Sequence, residues 1–239
     1  MPQDWRKTKL FITNWNQIST GFQELVEWFL PTGMPITVFD NASSYPPLLD
    51  YYDKMADKID IRRLPTNRGC WVFWQDGYNT VENTSEHFIT SDADCPPDAE
   101  CPKDLVEKMI AVLEAYPTCL KVSPRLRTDN LPDCYDRKAD AIDNQNAWFI
   151  RGCDVPQIAG LPKLFHSHTD TTLTMWRAGN RQADPPRLST SDWGDEQYRM
   201  DYPYALKHVP WYLDSKHPSK EILFYRNAEG NRGGQGWPL

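Results

Sequence analysis

The sequence predicts an α/β fold of Rossmann-like type, with a mostly parallel central sheet and helices on both of its faces. Three observations carry this. From residue 9 to residue 123, short apolar runs alternate with stretches whose apolar residues recur every three to four positions, and strands alternating with helices in this way build parallel sheets. Several of those runs stop at a cluster of Asn, Asp, Ser, Pro or Gly, where a strand turns into the next helix. The 239 residues, 40% of them hydrophobic, suffice for one large domain with a full core.

The elements follow in order. Residues 9–13 predict a first strand, which stops at Asn14-Trp15-Asn16. Thr20-Gly21-Phe22-Gln23 has the form of a capping box, after which Phe22, Leu25, Val26 and Phe29 recur at helical spacing until Pro31 and Gly33. Residues 36–39 form a second strand that stops at Asp40-Asn41-Ala42-Ser43-Ser44, and a helix with Leu48, Tyr52 and Met55 on one face comes next. Residues 59–64 alternate like a half-buried strand and run through Asn67-Arg68-Gly69 into an apolar helix expected over 70–81. Residues 88–91 are the fourth strand. A long amphipathic helix carries Leu105, Val106, Met109, Ile110 and Leu113 on one stripe, with Pro102 near its start, where proline is tolerated. Residues 120–123 are the fifth strand.

Beyond that point the pattern weakens. Residues 125–145, rich in Asp, Asn, Pro and Arg, read as a loop over the site, residues 147–152 as a strand, and residues 169–177 as a helix closed by Gly179. An aromatic, proline-rich stretch leads to Leu213, and residues 226–239 read as a flexible tail or a truncated linker. The expected organisation is one domain over residues 1–225, divided into halves 9–125 and 126–225.

Composition excludes some functions. The net charge is −7 with no run of Lys or Arg, which argues against nucleic-acid binding through a basic surface. The polar N-terminus is followed by no apolar leader, and no stretch approaches the length of a membrane span, so a cytoplasmic protein without a transmembrane segment is expected. The six cysteines form no C-x-x-C pair and no zinc-finger spacing, which favours reduced thiols; a Cys95–Cys101 bridge stays open.

The chemistry centres on Asp92-Ala93-Asp94. In an extended chain positions i and i+2 point to the same side, so the two carboxylates project together. The C-terminal end of a central strand in an open α/β sheet opens onto the crevice that binds ligands. Two hard oxygen ligands there suit Mn²⁺ or Mg²⁺, which in turn hold a diphosphate. An isolated D-x-D is more often a polar turn before a helix, so its surroundings decide.

Four signals surround it in one order: a strand ending in Asn14-Trp15-Asn16, a strand ending in Asp40-Asn41-Ala42-Ser43-Ser44, Asn67-Arg68-Gly69 opening a helix, and Asp92-Ala93-Asp94. The set resembles the nucleotide-binding half of GT-A-fold glycosyltransferases, particularly the family 2-like enzymes. It does so well over about residues 9–125 and more loosely over 145–215. The resemblance implies roles. Asp40 would hydrogen-bond the nucleotide base or ribose, Asn14 would lie near the base, and Arg68 would meet the diphosphate. Asp92 would lie nearer the ribose and a metal-bound water, while Asp94 would ligate Mn²⁺ (or Mg²⁺) directly. The blander readings are a helix-capping Asp40, a turn Asn14 and a surface Arg68.

The second half would bind the acceptor. Many inverting members carry an acidic pair ahead of a helix that runs into R-x-x-G-like residues. Here Thr169-Asp170 precedes Arg177-Ala178-Gly179, so Asp170 matches the second acid and Thr169 replaces the first. Asp170 is thereby implied as the general base that takes the acceptor's proton, its other reading being a helix N-cap. His208, near the C-terminal end, would complete the metal's coordination, and imidazole suits Mn²⁺ better than Mg²⁺. His166 and His168, two apart, form a rival pair. Among Trp148, Trp176, Trp193 and Trp211, the acceptor pocket is assigned to Trp148 and Trp211, since aromatic faces stack on sugars.

The implied function is metal-dependent transfer of a sugar from a UDP- or GDP-sugar to a saccharide acceptor in glycan biosynthesis, inverting through Asp170. The alternatives are a retaining transferase without a dedicated base and a non-catalytic nucleotide-sugar or carbohydrate-binding protein. A nucleotidyltransferase fits less well, because Asn14-Trp15-Asn16-Gln17-Ile18 lacks the glycines of a phosphate loop.

Overall fold

The first half of the chain is built of β–α units, and the strand order they produce creates the site. The computed structural model describes residues 3–151, 153–167, 169, 172–180 and 196–228. The units are β1 (Leu10–Asn14), α1 (Phe22–Phe29), β2 (Ile36–Asp40), α2 (Pro46–Met55) and β3 (Asp60–Arg63). Then come α3 (Val72–Gln75), α4 (Val81–Thr84), β4 (Phe88–Asp92), α5 (Leu105–Ala115) and β5 (Cys119–Leu126). The second half contains α6 (Lys138–Arg151), β6 (Cys153–Asp154), β7 (Leu164–His166), β8 (Thr174–Trp176), β9 (Glu196–Leu206) and α7 (Lys220–Asn227).

One nine-stranded sheet has the order β3-β2-β1-β4-β8-β5-β9-β7-β6. β1 to β4 run parallel, β8 opposes both β4 and β5, β9 follows β5, β7 opposes β9, and β6 opposes β7. Seven of the nine strands therefore point one way, with β7 and β8 reversed. The chain leaves β1 through β2 and β3 on one side and returns through β4 on the other, a topological switch point. Asn14 pairs with Asp40 and Thr13 with Asp92 in register, so the motif residues end their strands side by side.

Both faces are covered, as alternation along β1 requires. Leu10 and Ile12 pack with Phe22, Val26 and Phe29 of α1, Leu48 of α2 and Leu105 and Met109 of α5. Phe11, one residue out of phase, joins Phe39, Phe88, Trp74 and Trp176 on the opposite face, with Phe73 of α3 4.6 Å away. Each such fully buried side chain stabilises the fold by about 1.5–3 kcal/mol.

Several sequence expectations change here. The helix expected over 70–81 is two short ones, because Gly77 at φ +76° breaks the run. The loop expected over 125–145 and the strand over 147–152 give way to α6. Its first turns are polar and bury only Ala141 and Gln145, and a short apolar run does not by itself separate helix from strand.

The helix expected over 169–177 is instead the strand β8, slotted between β4 and β5. Arg177 fastens it there. Its Nε donates to the Cys119 carbonyl at 2.7 Å, and its Nη2 donates to the carbonyls of Leu113 and Tyr116 at the end of α5. The aromatic stretch contains the eleven-residue strand β9, with Tyr198, Met200, Tyr204 and Leu206 in the core.

The capping box does not form. Gly21 is the N-cap, at φ +123°, and makes no side-chain cap, while the Thr20 hydroxyl turns to Glu221 instead. α7 runs through Arg226 and Asn227, where the tail was expected to begin; residues 229–239 lie outside the described residues. Cys95 and Cys101 are not joined by a disulfide. Among the described residues no helix is long and apolar enough to cross a membrane.

Candidate functional site

The strand ends at the switch point carry polar side chains that are almost all tied down. Asn14 is 1% exposed; its Nδ2 donates to the Gln17 carbonyl at 2.9 Å and to the Tyr52 hydroxyl at 3.0 Å. Tyr52 donates in turn to Asp40 Oδ1 at 3.3 Å. Burial, then the Asp40 charge, holds the Tyr52 phenol well above its ordinary pKa, so it remains a donor. Asp40 is fully buried, and its Oδ2 accepts from the Ser43 N–H at 3.3 Å and from Arg63 Nε at 3.1 Å. The exposed end of this chain of groups is Arg63, whose side chain is about half exposed.

The loops above those ends are stapled together. Asn16, at φ +55°, accepts through Oδ1 from the N–H groups of Ser44 and Tyr45, while its own N–H donates to Ser43 Oγ at 2.8 Å. Asn41 donates to the Gly69 carbonyl and accepts from the Arg68 N–H, both at 3.0 Å, which binds the loop after β2 to the Asn-Arg-Gly turn. The Arg68 guanidinium pairs with Asp76 at 3.1 Å and is more than half exposed.

Asp92 closes β4, and Asp94 stands two residues on, with its side chain 10% exposed. His208 Nε2 lies 3.8 Å from Asp94 Oδ2, and Cys95 Sγ lies 3.4 Å from Asp94 Oδ1. One ligand atom from each of Asp94, Cys95 and His208 lies within 4.8 Å of the others. The pairing is held from the backbone too: the Val209 N–H donates to the Asp94 carbonyl at 2.9 Å. The Trp211 ring packs on the His208 ring at 4.5 Å. Gly21 completes the fit from the other side. A Cβ there would sit 2.7 Å from Asp94 Cα, so only glycine lets the loop after β1 lie against the D-x-D backbone.

A helix from the far end of the chain spans these loops. Glu221, in the first turn of α7, is 3% exposed. Its carboxylate accepts from the N–H groups of Ile18, Ser19 and Thr20, at 2.8, 2.9 and 3.1 Å, and from the hydroxyls of Ser19 and Thr20. Phe224 lies 4.9 Å from Tyr45 and Tyr225 lies 4.7 Å from Trp15. Burial, then the Asp94 and Asp92 charges, pushes the Tyr225 phenol up to about 12.

The structure thus brings Asn14, Asp40, Asp92, Asp94, His208 and Trp211 to one end of the sheet. Trp176 belongs to the core, packed on Trp74 at 4.7 Å. His166 sits on β7, separated from β4 by β8, β5 and β9, so it is no ligand partner for the D-x-D. Trp148 stands in α6, and its side chain lies outside what is described. Asp170, His168 and Trp193 also lie outside the described residues. The residues that sequence reasoning missed are Gly21, Arg63, Cys95, Glu221 and Tyr225. Only Cys95 carried a signal, by following the D-x-D directly.

This is an α/β domain of the GT-A type of fold. No family model matches the sequence, and no curated protein matches it. Solved structures do. The 1–349 fragment of S. aureus TarS aligns with a TM-score of 0.51 and 13% identity, over 94% of this chain and 67% of that one. The same fragment in complex with UDP gives 0.50 at 12% identity over the same shares. A longer S. aureus TarS structure gives 0.51 at 13% identity, and this chain spans 40% of its length. At such identities the likeness is one of fold.

Proposed function

We propose that this chain is a metal-dependent glycosyltransferase that moves a sugar from a UDP- or GDP-sugar to a saccharide acceptor. The observation that carries the reading is the placement of Asp94, with Asp92 beside it and His208 Nε2 3.8 Å away, at the end of β4 on a switch point. The carboxylate and imidazole donors there fit a divalent ion, Mn²⁺ in preference to Mg²⁺. Asp94 and His208 would hold the ion, and Asp92 would face the ribose beside it. Bound there, the ion neutralises charge on the departing diphosphate. A TarS structure of this fold contains UDP, which supports a uridine donor.

The chain's own groups do the rest. Asp40, closed inside with Tyr52 and Asn14, is a positioning residue that presents Arg63 toward the base and ribose. Arg68 offers its exposed guanidinium to the diphosphate. Tyr225 and α7, packed against Trp15 in the loop after β1, would limit the access of water to the bond being broken. On the acceptor side Trp211, beside His208, stacks a sugar ring. Trp148 does the same and Asp170 acts as base in an inverting displacement, both on the strength of the sequence.

Thermal unfolding of the full chain tests this. UDP with Mn²⁺ is expected to raise the melting temperature, and UDP with EDTA is not. Asp94→Asn is expected to abolish the metal-dependent part while the protein still folds. If a panel of UDP- and GDP-sugars gives no shift with Mn²⁺ or Mg²⁺, the reading fails. Release of free nucleoside diphosphate separates a transferase from a binder without turnover.

A further inference from the structure

We infer that Cys95 is a third protein ligand of the metal held by Asp94 and His208, and that its thiolate makes the centre select Mn²⁺, Co²⁺ and Zn²⁺ over Mg²⁺. The inference rests on the metal reading above and goes beyond it in naming the ligand and the selectivity. It starts from distances. Cys95 Sγ lies 3.4 Å from Asp94 Oδ1, His208 Nε2 lies 3.8 Å from Asp94 Oδ2, and a ligand atom of each residue lies within 4.8 Å of the other two. Ligands bound at about 2.0–2.3 Å around one tetrahedral ion stand roughly 3.3–3.8 Å apart. The two short distances go to different oxygens of Asp94. One atom from each residue fits within 4.8 Å, about 1 Å wider than one face of such a polyhedron, so side-chain rotations must draw the set together on binding.

The surroundings hold the set in that arrangement. The Val209 N–H fixes the His208 segment to the Asp94 carbonyl at 2.9 Å, and Trp211 packs on the imidazole at 4.5 Å. Gly21 presses on the Asp94 backbone from the opposite side. Cys95 itself is fully buried, so a metal–sulfur bond there is shielded from water and from oxidants.

The chemistry follows from ligand type. A carboxylate oxygen serves hard and borderline ions alike, but a thiolate serves borderline and soft ones, and affinity rises from Mn²⁺ through Co²⁺ to Zn²⁺. Mg²⁺ takes oxygen ligands in strict octahedral geometry and gains nothing from sulfur. On binding, the Cys95 S–H bond breaks, a sulfur–metal bond forms, and one proton is released to solvent.

Titration of the full chain with Co²⁺, followed by near-ultraviolet absorbance, tests this directly. A thiolate-to-cobalt charge-transfer band is expected in the parent and in Cys70→Ser, which alters the thiol that lies near Tyr225. Cys95→Ser and Cys95→Ala are expected to lose the band and to bind Co²⁺ at least about tenfold more weakly. Excess Mg²⁺ is expected to leave the parent's band unchanged. Circular dichroism confirms that the Cys95 variants fold; if they do not, the parent's band and its persistence in Cys70→Ser still decide. Co²⁺ bound without the band, or a band that survives in Cys95→Ala, overturns the inference. If UDP still stabilises the protein in a metal-dependent way in that case, only the sulfur ligand is lost. If neither Co²⁺ nor UDP with Mn²⁺ has any effect, the glycosyltransferase reading falls with it.

Discussion

The floor of the crevice and the helix laid across it are held by different means. On the floor, Asn14, Asn16, Asp40 and Asn41 each make two or more hydrogen bonds, to the loops around them or to Tyr52 of α2 and Arg63 of β3. The cover, α7, meets the loops after β1 and β2 through contacts that include two aromatic pairs and the Glu221 carboxylate, and it buries Ile222 while leaving Leu223 45% exposed. A redundant network makes a rigid platform, whereas a short helix that relies heavily on one carboxylate opens more readily. On the proposed function, the donor side would be the rigid part and α7 the part that opens.

Breaking that difference outright takes one substitution. Glu221→Ala strands three N–H groups and two hydroxyls that now share one buried carboxylate. Hydrogen bonds to a charged acceptor are worth about 1.5–3 kcal/mol each, offset in part by water entering the gap. A net loss of about 3 kcal/mol corresponds to roughly a hundredfold more frequent opening. Hydrogen exchange is expected to speed up by that order at Ile18, Ser19 and Thr20 and along α7, while β1 and β4 keep their protection. A uniform loss across the sheet would show instead that floor and cover unfold together.

Gly21→Ala probes the joint between the two loops of the floor. The residue is held at φ +123°, and the added Cβ would lie 2.7 Å from Asp94 Cα and 3.0 Å from Asp94 C, which are backbone atoms and yield little. Strain and overlap together are expected to cost about 1–3 kcal/mol in denaturant unfolding. Because the clash pushes on Asp94, Mn²⁺ affinity is expected to fall as well. Parent-like stability and metal binding in this variant would mean that the loop shifts freely and does not set the position of Asp94.

The floor was legible in the sequence and the cover was not, for a physical reason. Asn14, Asp40 and Asp92 each close a run whose period of two fixes which side chains face the core, so their place at the strand ends follows from local pattern. Whether a strand-end side chain points out to a ligand or in to a partner depends on residues elsewhere. Asp40 turns inward because Tyr52 and Arg63 are there to receive it. β8 defeats local reading in the same way. Leu173 and Trp176 suit a helix as well as Thr172, Thr174 and Trp176 suit a strand, and the slot beside β4 decides, fastened by Arg177 to a carbonyl 61 residues earlier. Glu221 lies 203 residues from Ile18, and no spacing in the sequence links them.

The finest test asks how closely the cover sits on the floor's charges. Burial, then Asp94, Asp92 and Cys70, raises the Tyr225 phenol from 10.0 to about 12. In the unfolded chain this group ionises near pH 10, whereas in the folded one it keeps its proton until about pH 12. Its contribution is therefore fully present below pH 10 and is lost as the pH rises through the interval to 12. The parent is expected to lose more stability across that interval than Tyr225→Phe, since the other raised tyrosines, Tyr51 among them, act equally in both proteins. Difference titration of the phenolate absorbance between the two proteins isolates the midpoint. Asp94→Asn, which removes one like charge, is expected to bring that midpoint down toward 10 without reaching it, because burial remains. A midpoint already at 10 in the parent would place Tyr225 in water and α7 off the crevice.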